Sequence, residues 1–130
     1  MSVSQSQNYF EIFGNFESFF LCHCKYCQKD SGSAHGANLF STTAKLHWVS
    51  GEELVNSFIL PNTAHKKSFC SNCGSAQPNI QMEGRLLVVP AGCLDSKLSM
   101  RPTAHIFVSS KAAWDTDLQS LKTIEGLPKQ

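Results

Sequence analysis

Long apolar runs are missing from this chain. Leu86-Leu87-Val88-Val89 is as long as any, far short of the roughly 20 residues that a membrane-spanning helix needs. Charge is scarce and balanced: eleven basic residues face ten acidic ones, for a formal net charge of +1. That balance, with no basic tail or charge block, counts against nucleic acid or an anionic membrane as partner. Met1 to Phe13 has neither the basic start nor the apolar stretch of a secretory signal. The expectation is therefore a reducing, cytoplasmic compartment, where free thiols or metal sites are favoured over disulfides. No linker, internal repeat or low-complexity tract divides the 130 residues, so one domain over 1–130 with a single core is expected. Tyrosine and tryptophan contribute two residues each; the bulk of the core must come from nine phenylalanines, each able to bury roughly 150–250 Å².

Cysteine, by contrast, is concentrated. Five of the six fall in two clusters, Cys22-His23-Cys24-Lys25-Tyr26-Cys27 and Cys70-Ser71-Asn72-Cys73. A CxxC turn lets two sulfurs converge on one ion at roughly 2.3 Å, and its backbone N–H groups can donate to those sulfurs. Cys22 falls on the same face as Cys24 if the chain between them is extended, because strand side chains repeat every second residue. Three sulfurs from one short segment can thus cap a tetrahedral metal, leaving the fourth corner to be filled from elsewhere. Spacing alone also permits a closed four-sulfur site from Cys24, Cys27, Cys70 and Cys73, with Cys22 spare.

The remaining pattern is of short strands. Segments 8–13, 18–22, 37–41, 45–49, 54–60, 65–69, 85–89 and 103–109 are β-branched or aromatic and are separated by polar or Gly/Pro punctuation. Turns are expected at Gly14-Asn15, Ser50-Gly51, Pro61-Asn62 and Glu83-Gly84. A short helix is expected from Cys24 towards Ser31 with Gly32 as its stop, and a second over 115–122, where Leu118, Leu121 and Lys122 give a weak helical spacing. The class read from these elements is mainly β, with metal-bearing turns.

These residues resemble the glutathione-dependent formaldehyde-activating enzyme family, whose domain is shared with centromere protein V and has the Mss4-like, β-tent fold. The resemblance is carried by four blocks in family order: residues 22–35, residues 69–75, Val89-Pro90-Ala91-Gly92-Cys93-Leu94-Asp95, and the stretch from His105 to Trp114. It implies a short-stranded antiparallel fold with a catalytic zinc ion on Cys22, Cys24 and Cys27. It also implies a second, structural zinc held by Cys70 and Cys73 together with an N-terminal CxC. Here the chain departs from the pattern: Val3 and Gln5 stand where that CxC belongs, and neither replaces a thiolate. The implied partner is a small thiol such as glutathione, and the implied activity a carbon–sulfur lyase reaction on its formaldehyde adduct. Two other readings stand beside it, a non-catalytic zinc-containing binding module and a decayed paralogue that keeps only the fold.

Three thiolates leave a zinc centre with a formal charge of −1, a soft site that suits a sulfur ligand better than water. Around it the expectations are weaker. His35, after a Ser-Gly-Ser turn, is a candidate proton donor facing the site, or a histidine satisfied by the backbone. His23 is expected as a neighbour of the sulfurs and not a ligand. His105 and Lys111 lie in family blocks and are candidates to line the pocket. Cys93 reads as a small buried thiol, and Asp95 as a turn cap. Arg101, Lys25 and Lys29 are candidates to meet the carboxylates of a glutathione-like ligand. Trp48 and Trp114 read as core or rim aromatics.

Overall fold

The computed structural model describes residues 8–128, so Val3 and Gln5 lie outside the described residues. The architecture is mainly β, as the punctuation by turn residues foretold: ten strands in three small sheets, with one α-helix among the described residues. Strands β1 (Tyr9–Phe13) and β4 (Lys45–Ser50) form an antiparallel pair. Phe10 stands opposite Trp48 in that register, and the two rings meet edge-on with centroids 5.5 Å apart. Edge-to-face geometry of this kind sets the positive rim of one ring against the negative face of the other.

The second sheet has five strands in the order β10-β2-β3-β9-β8. Its middle is built from β2 (Ser18–Cys22), β3 (Gly36–Ser41) and β9 (Leu86–Pro90), paired antiparallel. These segments bring Phe19, Leu39, Leu87 and Val89 into one buried cluster with Ala44. Strand β8 (Asn79–Gln81) closes one edge. At the other edge β10 (Ala104–Ile106) lies parallel to β2, placing Ile106 beside Cys22, so this sheet is mixed and not purely antiparallel. A parallel neighbour demands a long return connection, and residues 91–103 supply it.

The third sheet runs β5-β6-β7, with β5 (Val55–Ile59), β6 (Lys66–Cys70) and the two-residue β7 (Ala76–Gln77). Helix α1 covers Lys25–Ser31 and stops at Gly32, whose φ of 65° is the left-handed conformation that glycine adopts without steric cost.

Three expectations need correction. No α-helix forms over 115–122; only Leu118–Ser120 make a single 3₁₀ turn, entered from Asp117 at a left-handed φ of 53°. Leu118 and Leu121 both stay exposed there, so the weak helical spacing has no apolar surface to pack against, and packing is what stabilises a short helix. The strand expected over 103–109 is cut to Ala104–Ile106 because Phe107 turns left-handed at φ 57°. The segment over 54–60 begins only at Val55, since Glu52–Leu54 forms a 3₁₀ turn. Strands β7 and β8, split by Pro78, are too short for alternation to reveal. No helix among the described residues is long and apolar enough to cross a membrane.

One polar device fixes the β3–β4 corner. The Glu17 carboxylate accepts hydrogen bonds from the Thr42 backbone N–H (2.6 Å), the Thr42 hydroxyl (2.7 Å) and the Ser41 hydroxyl (3.0 Å). The Thr42 N–H above all holds this carboxyl below the usual carboxylate range. A native pKa below the unfolded one stabilises the fold above the unfolded value, and that stability is lost as pH falls through the native value. Glu17→Gln should therefore lower the melting temperature at pH 7, and the gap to the parent should close as pH drops below about 4.3. Thermal melts of the two chains across pH check this; a gap that is constant with pH contradicts it.

Candidate metal centre

The sulfur cluster is assembled by the join of a strand to a helix. Cys22 ends β2, Cys24 is the N-cap of α1 in extended backbone conformation, and Cys27 sits in the helix's first turn. The extended link between Cys22 and Cys24 therefore exists, although the strand itself stops at Cys22. The Cys27 N–H points at the Cys24 sulfur (3.4 Å), the donation that an N-cap side chain normally receives. The result is that the sulfur atoms of Cys22, Cys24 and Cys27 all lie within 4.8 Å of one another. Cys22 and Cys27 are buried and Cys24 is half-buried. Burial chiefly pushes the Cys22 and Cys27 thiols up. At Cys24 burial also acts upward, but hydrogen bonds from the Cys27 backbone and the neighbouring thiols outweigh it, and the thiol is drawn down.

Three sulfurs this close cannot all be thiolates in a buried site unless a cation lies among them. The donor set fits a soft divalent ion. Gly36, directly across the ladder from Cys22, packs close against the cluster: a Cβ there would lie 3.5 Å from the Cys27 sulfur and 3.3 Å from the Asn38 amide nitrogen, so a larger side chain would press on Cys27. Cys22, Cys27 and Gly36 line a cleft of about 510 Å³ between the five-stranded and three-stranded sheets.

The opposite wall carries His65, Lys66 and Lys67 at the start of β6. Asp30, on α1, accepts from His65 Nε2 (3.0 Å) and from Lys67 Nζ (2.9 Å), and Lys67 Nζ also donates to the Asp30 carbonyl (2.9 Å). The helix bearing Cys27 is thereby tied to the far wall. The cations at the cleft are thus Lys66 and Lys67; Arg101, Lys25 and Lys29, expected from the sequence, are not among its lining residues. The run His65-Lys66-Lys67 at the opening of β6 was the signal that could have found them.

The histidines form a separate group. His23 is 1% exposed and shares a 2.8 Å hydrogen bond between its Nε2 and Nδ1 of His105. Its Nδ1 approaches Asp115 Oδ2 at 3.4 Å, an electrostatic contact, and has no hydrogen-bond partner among the described residues. Burial, then the neighbouring His35, holds the His23 imidazole below its usual value despite Asp115. His35 packs edge-on to His23 with ring centroids 5.1 Å apart, its Nδ1 is buried without a partner, and it is not among the residues lining the cleft. Gln28 binds the whole assembly: its amide donates to the His23 carbonyl (2.7 Å) and to the Ser110 carbonyl (2.9 Å), joining α1 to the C-terminal segment. Trp114 is 61% exposed and is no core residue.

The second cysteine cluster stands apart. Cys70 is buried at the end of β6, and Cys73 is exposed in the following turn. Among the described residues, only Cys22, Cys24 and Cys27 form a group of three potential metal ligands, so Cys70 and Cys73 have no third one beside them. Ser75 draws the Cys73 thiol down through its hydroxyl and its N–H. Cys93 is the buried thiol expected: its sulfur donates to the Ala76 carbonyl at 2.9 Å, and burial pushes it up to about 12. All six cysteines are free thiols.

A sequence profile described as glutathione-dependent formaldehyde-activating enzyme matches residues 8–110, and these include the whole cluster, both cleft walls and the histidine group. The chain belongs to the glutathione-dependent formaldehyde-activating enzyme family. This family member has no match among curated proteins. Among solved structures it is similar to a Rhodobacter sphaeroides protein determined by crystallography, at 16% identity and a TM-score of 0.56. That likeness covers 80% of this chain and 97% of the other. At so low an identity it speaks for the fold alone.

Proposed function

We propose that this family member makes or breaks the carbon–sulfur bond between a small thiol, such as glutathione, and formaldehyde or a related carbonyl. The observation that carries the reading is the convergence of three sulfurs within 4.8 Å, with two of their residues, Cys22 and Cys27, lining the cleft. Cys22, Cys24 and Cys27 would hold a zinc ion, which when bound supplies a soft Lewis-acidic centre that favours one more sulfur as thiolate. Lys66, whose ammonium reaches the Ile80 carbonyl at the surface, and Lys67, paired with Asp30, offer cations for the carboxylates of the incoming thiol. In the forward direction the thiol sulfur attacks the carbonyl carbon, the C–S bond forms, and the oxygen takes up the thiol's proton. His35 acts in this reading through His23, as a positioning residue for the Cys22–Cys24 segment and not at the reacting atoms.

The experiment is exchange NMR of formaldehyde with glutathione at fixed pH. The expected result is faster adduct exchange with the parent chain than in buffer. Gly36→Val should lose about tenfold or more of that acceleration, because overpacking of about one to three kcal/mol presses on the Cys27 side of the sulfur cluster. Equal rates with protein and with buffer overturn the reading.

A further inference from the structure

We propose that Cys70 and Cys73 form a thiol–disulfide exchange site, with a low-molecular-weight disulfide as its substrate and an intramolecular disulfide as its oxidised state. The inference stands independently of the reaction proposed for the sulfur cluster. It begins with a mismatch. The chain carries a CxxC pair, but among the described residues no third ligand accompanies it, and a tetrahedral metal requires four. At the positions where the family resemblance calls for two more thiolates the sequence has Val3 and Gln5. What is left is a dithiol.

Its geometry is divided in the way exchange requires. Cys73 is exposed on the turn and open to a small disulfide, whereas Cys70 is 1% exposed and reachable only from within. The turn is tightly closed: the Gly74 N–H donates to the Cys70 carbonyl at 2.7 Å, with Gly74 left-handed at φ 77°. The Cys70 N–H donates in turn to the Ser75 carbonyl at 2.9 Å, so both cysteines sit on one closed turn. A polar chain built into the interior points at Cys73. Gln77, fully buried, donates its amide to the Ser75 hydroxyl at 3.0 Å, and that hydroxyl lies 3.2 Å from the Cys73 sulfur. A hydroxyl has a single proton to give. With Gln77 as donor on one side, Ser75 is set to direct that proton to the sulfur and to support it as a thiolate. Gln77 itself is held by Asn8, whose amide is anchored on the Gly51 carbonyl at 2.8 Å. A buried amide is costly unless it is hydrogen-bonded, and among the described residues the Gln77 Nε2 donates to Ser75 and, at 3.5 Å, to Asn8, while its Oε1 has no partner.

The chemistry balances without a metal. The Cys73 thiolate attacks one sulfur of the small disulfide, forming a mixed disulfide and releasing one thiol. Cys70 then attacks the Cys73 sulfur and gives up its proton to the departing thiolate. The chain loses two hydrogens and gains the Cys70–Cys73 bond, and the small disulfide becomes two thiols. An attacking thiol needs exposure and thiolate character, and a resolving partner close by. Cys93, bonded to the Ala76 carbonyl and buried, has neither and serves as the internal control.

Treatment of the purified, metal-bearing chain with oxidised glutathione, followed by alkylation and tryptic mapping, tests this. Cleavage after Lys67 and Arg85 leaves both cysteines in one peptide, separate from Cys22, Cys24, Cys27 and Cys93. The expected product is a Ser68–Arg85 peptide two hydrogens lighter, closed to alkylation and restored by a dithiol reductant. Cys70→Ala should instead trap the mixed disulfide on Cys73, and Cys73→Ser should leave Cys70 reduced with the parent's metal count. The proposal is overturned if the parent peptide takes two alkyl groups after treatment, or if its mixed disulfide never resolves. It is overturned equally if Cys73→Ser loses an ion, since the pair is then a metal site.

Discussion

Cys24→Ser should purify with less than a tenth of the parent's bound metal while keeping its strand content. Apparent binding energies of roughly 10–16 kcal/mol for structural zinc, shared over four coordination positions, amount to about 2.5–4 kcal/mol per ligand. That is a loss of two to three orders of magnitude in affinity, at about 1.4 kcal/mol per tenfold. Cys24 is the sharpest choice because it is the least buried of the three, and its serine replacement keeps an N-cap oxygen for the Cys27 N–H. The fold should therefore survive the substitution when the site does not. Elemental analysis beside circular dichroism checks it. Metal content equal to the parent's places the ion elsewhere.

The second large effect lies in the core. Leu39 has no exposed surface and sits at the centre of β3, flanked by β2 and β9, against Phe19, Leu87 and Val89. Leu39→Ala should cost about 2–5 kcal/mol, the lost transfer energy plus the cavity left behind. Against a total stability of about 5–15 kcal/mol, that lowers the melting temperature by on the order of 10 °C. Leu127, 90% exposed, is the matched control, and its alanine variant should stay within about 0.5 kcal/mol of the parent. The two leucines look alike in composition. The sequence places the first in an expected strand, 37–41, and the structure shows that it faces inward.

Leu39 also illustrates what was legible. Most strands could be read because turn residues bracket them: Gly14, Gly51 and Asn62 all adopt the positive φ that their residue types suggested. The helix was legible from its bounds, a start after Cys24 and a stop at Gly32; the capping role of Cys24 came from the structure. The sulfur cluster was legible because its ligands are local, within six residues of one another. What escaped depends on contacts distant in sequence. The salt links of Asp30 to His65 and Lys67 join positions 35 and 37 residues apart, and no periodicity announces them. His23 and His105, 82 residues apart, meet only because β10 lies parallel to β2. The segment after Phe107 misled for the opposite reason. Its leucines have helical spacing, but both stay exposed, so local pattern exceeded tertiary support.

The most direct test of the account is X-ray absorption at the metal edge of the purified chain, with and without glutathione. The account predicts three sulfur neighbours at about 2.3 Å with one lighter atom, and four sulfurs once the thiol is added. Four sulfurs from the outset, or a spectrum unmoved by saturating thiol, would contradict it, because the corner reserved for the substrate would already be closed.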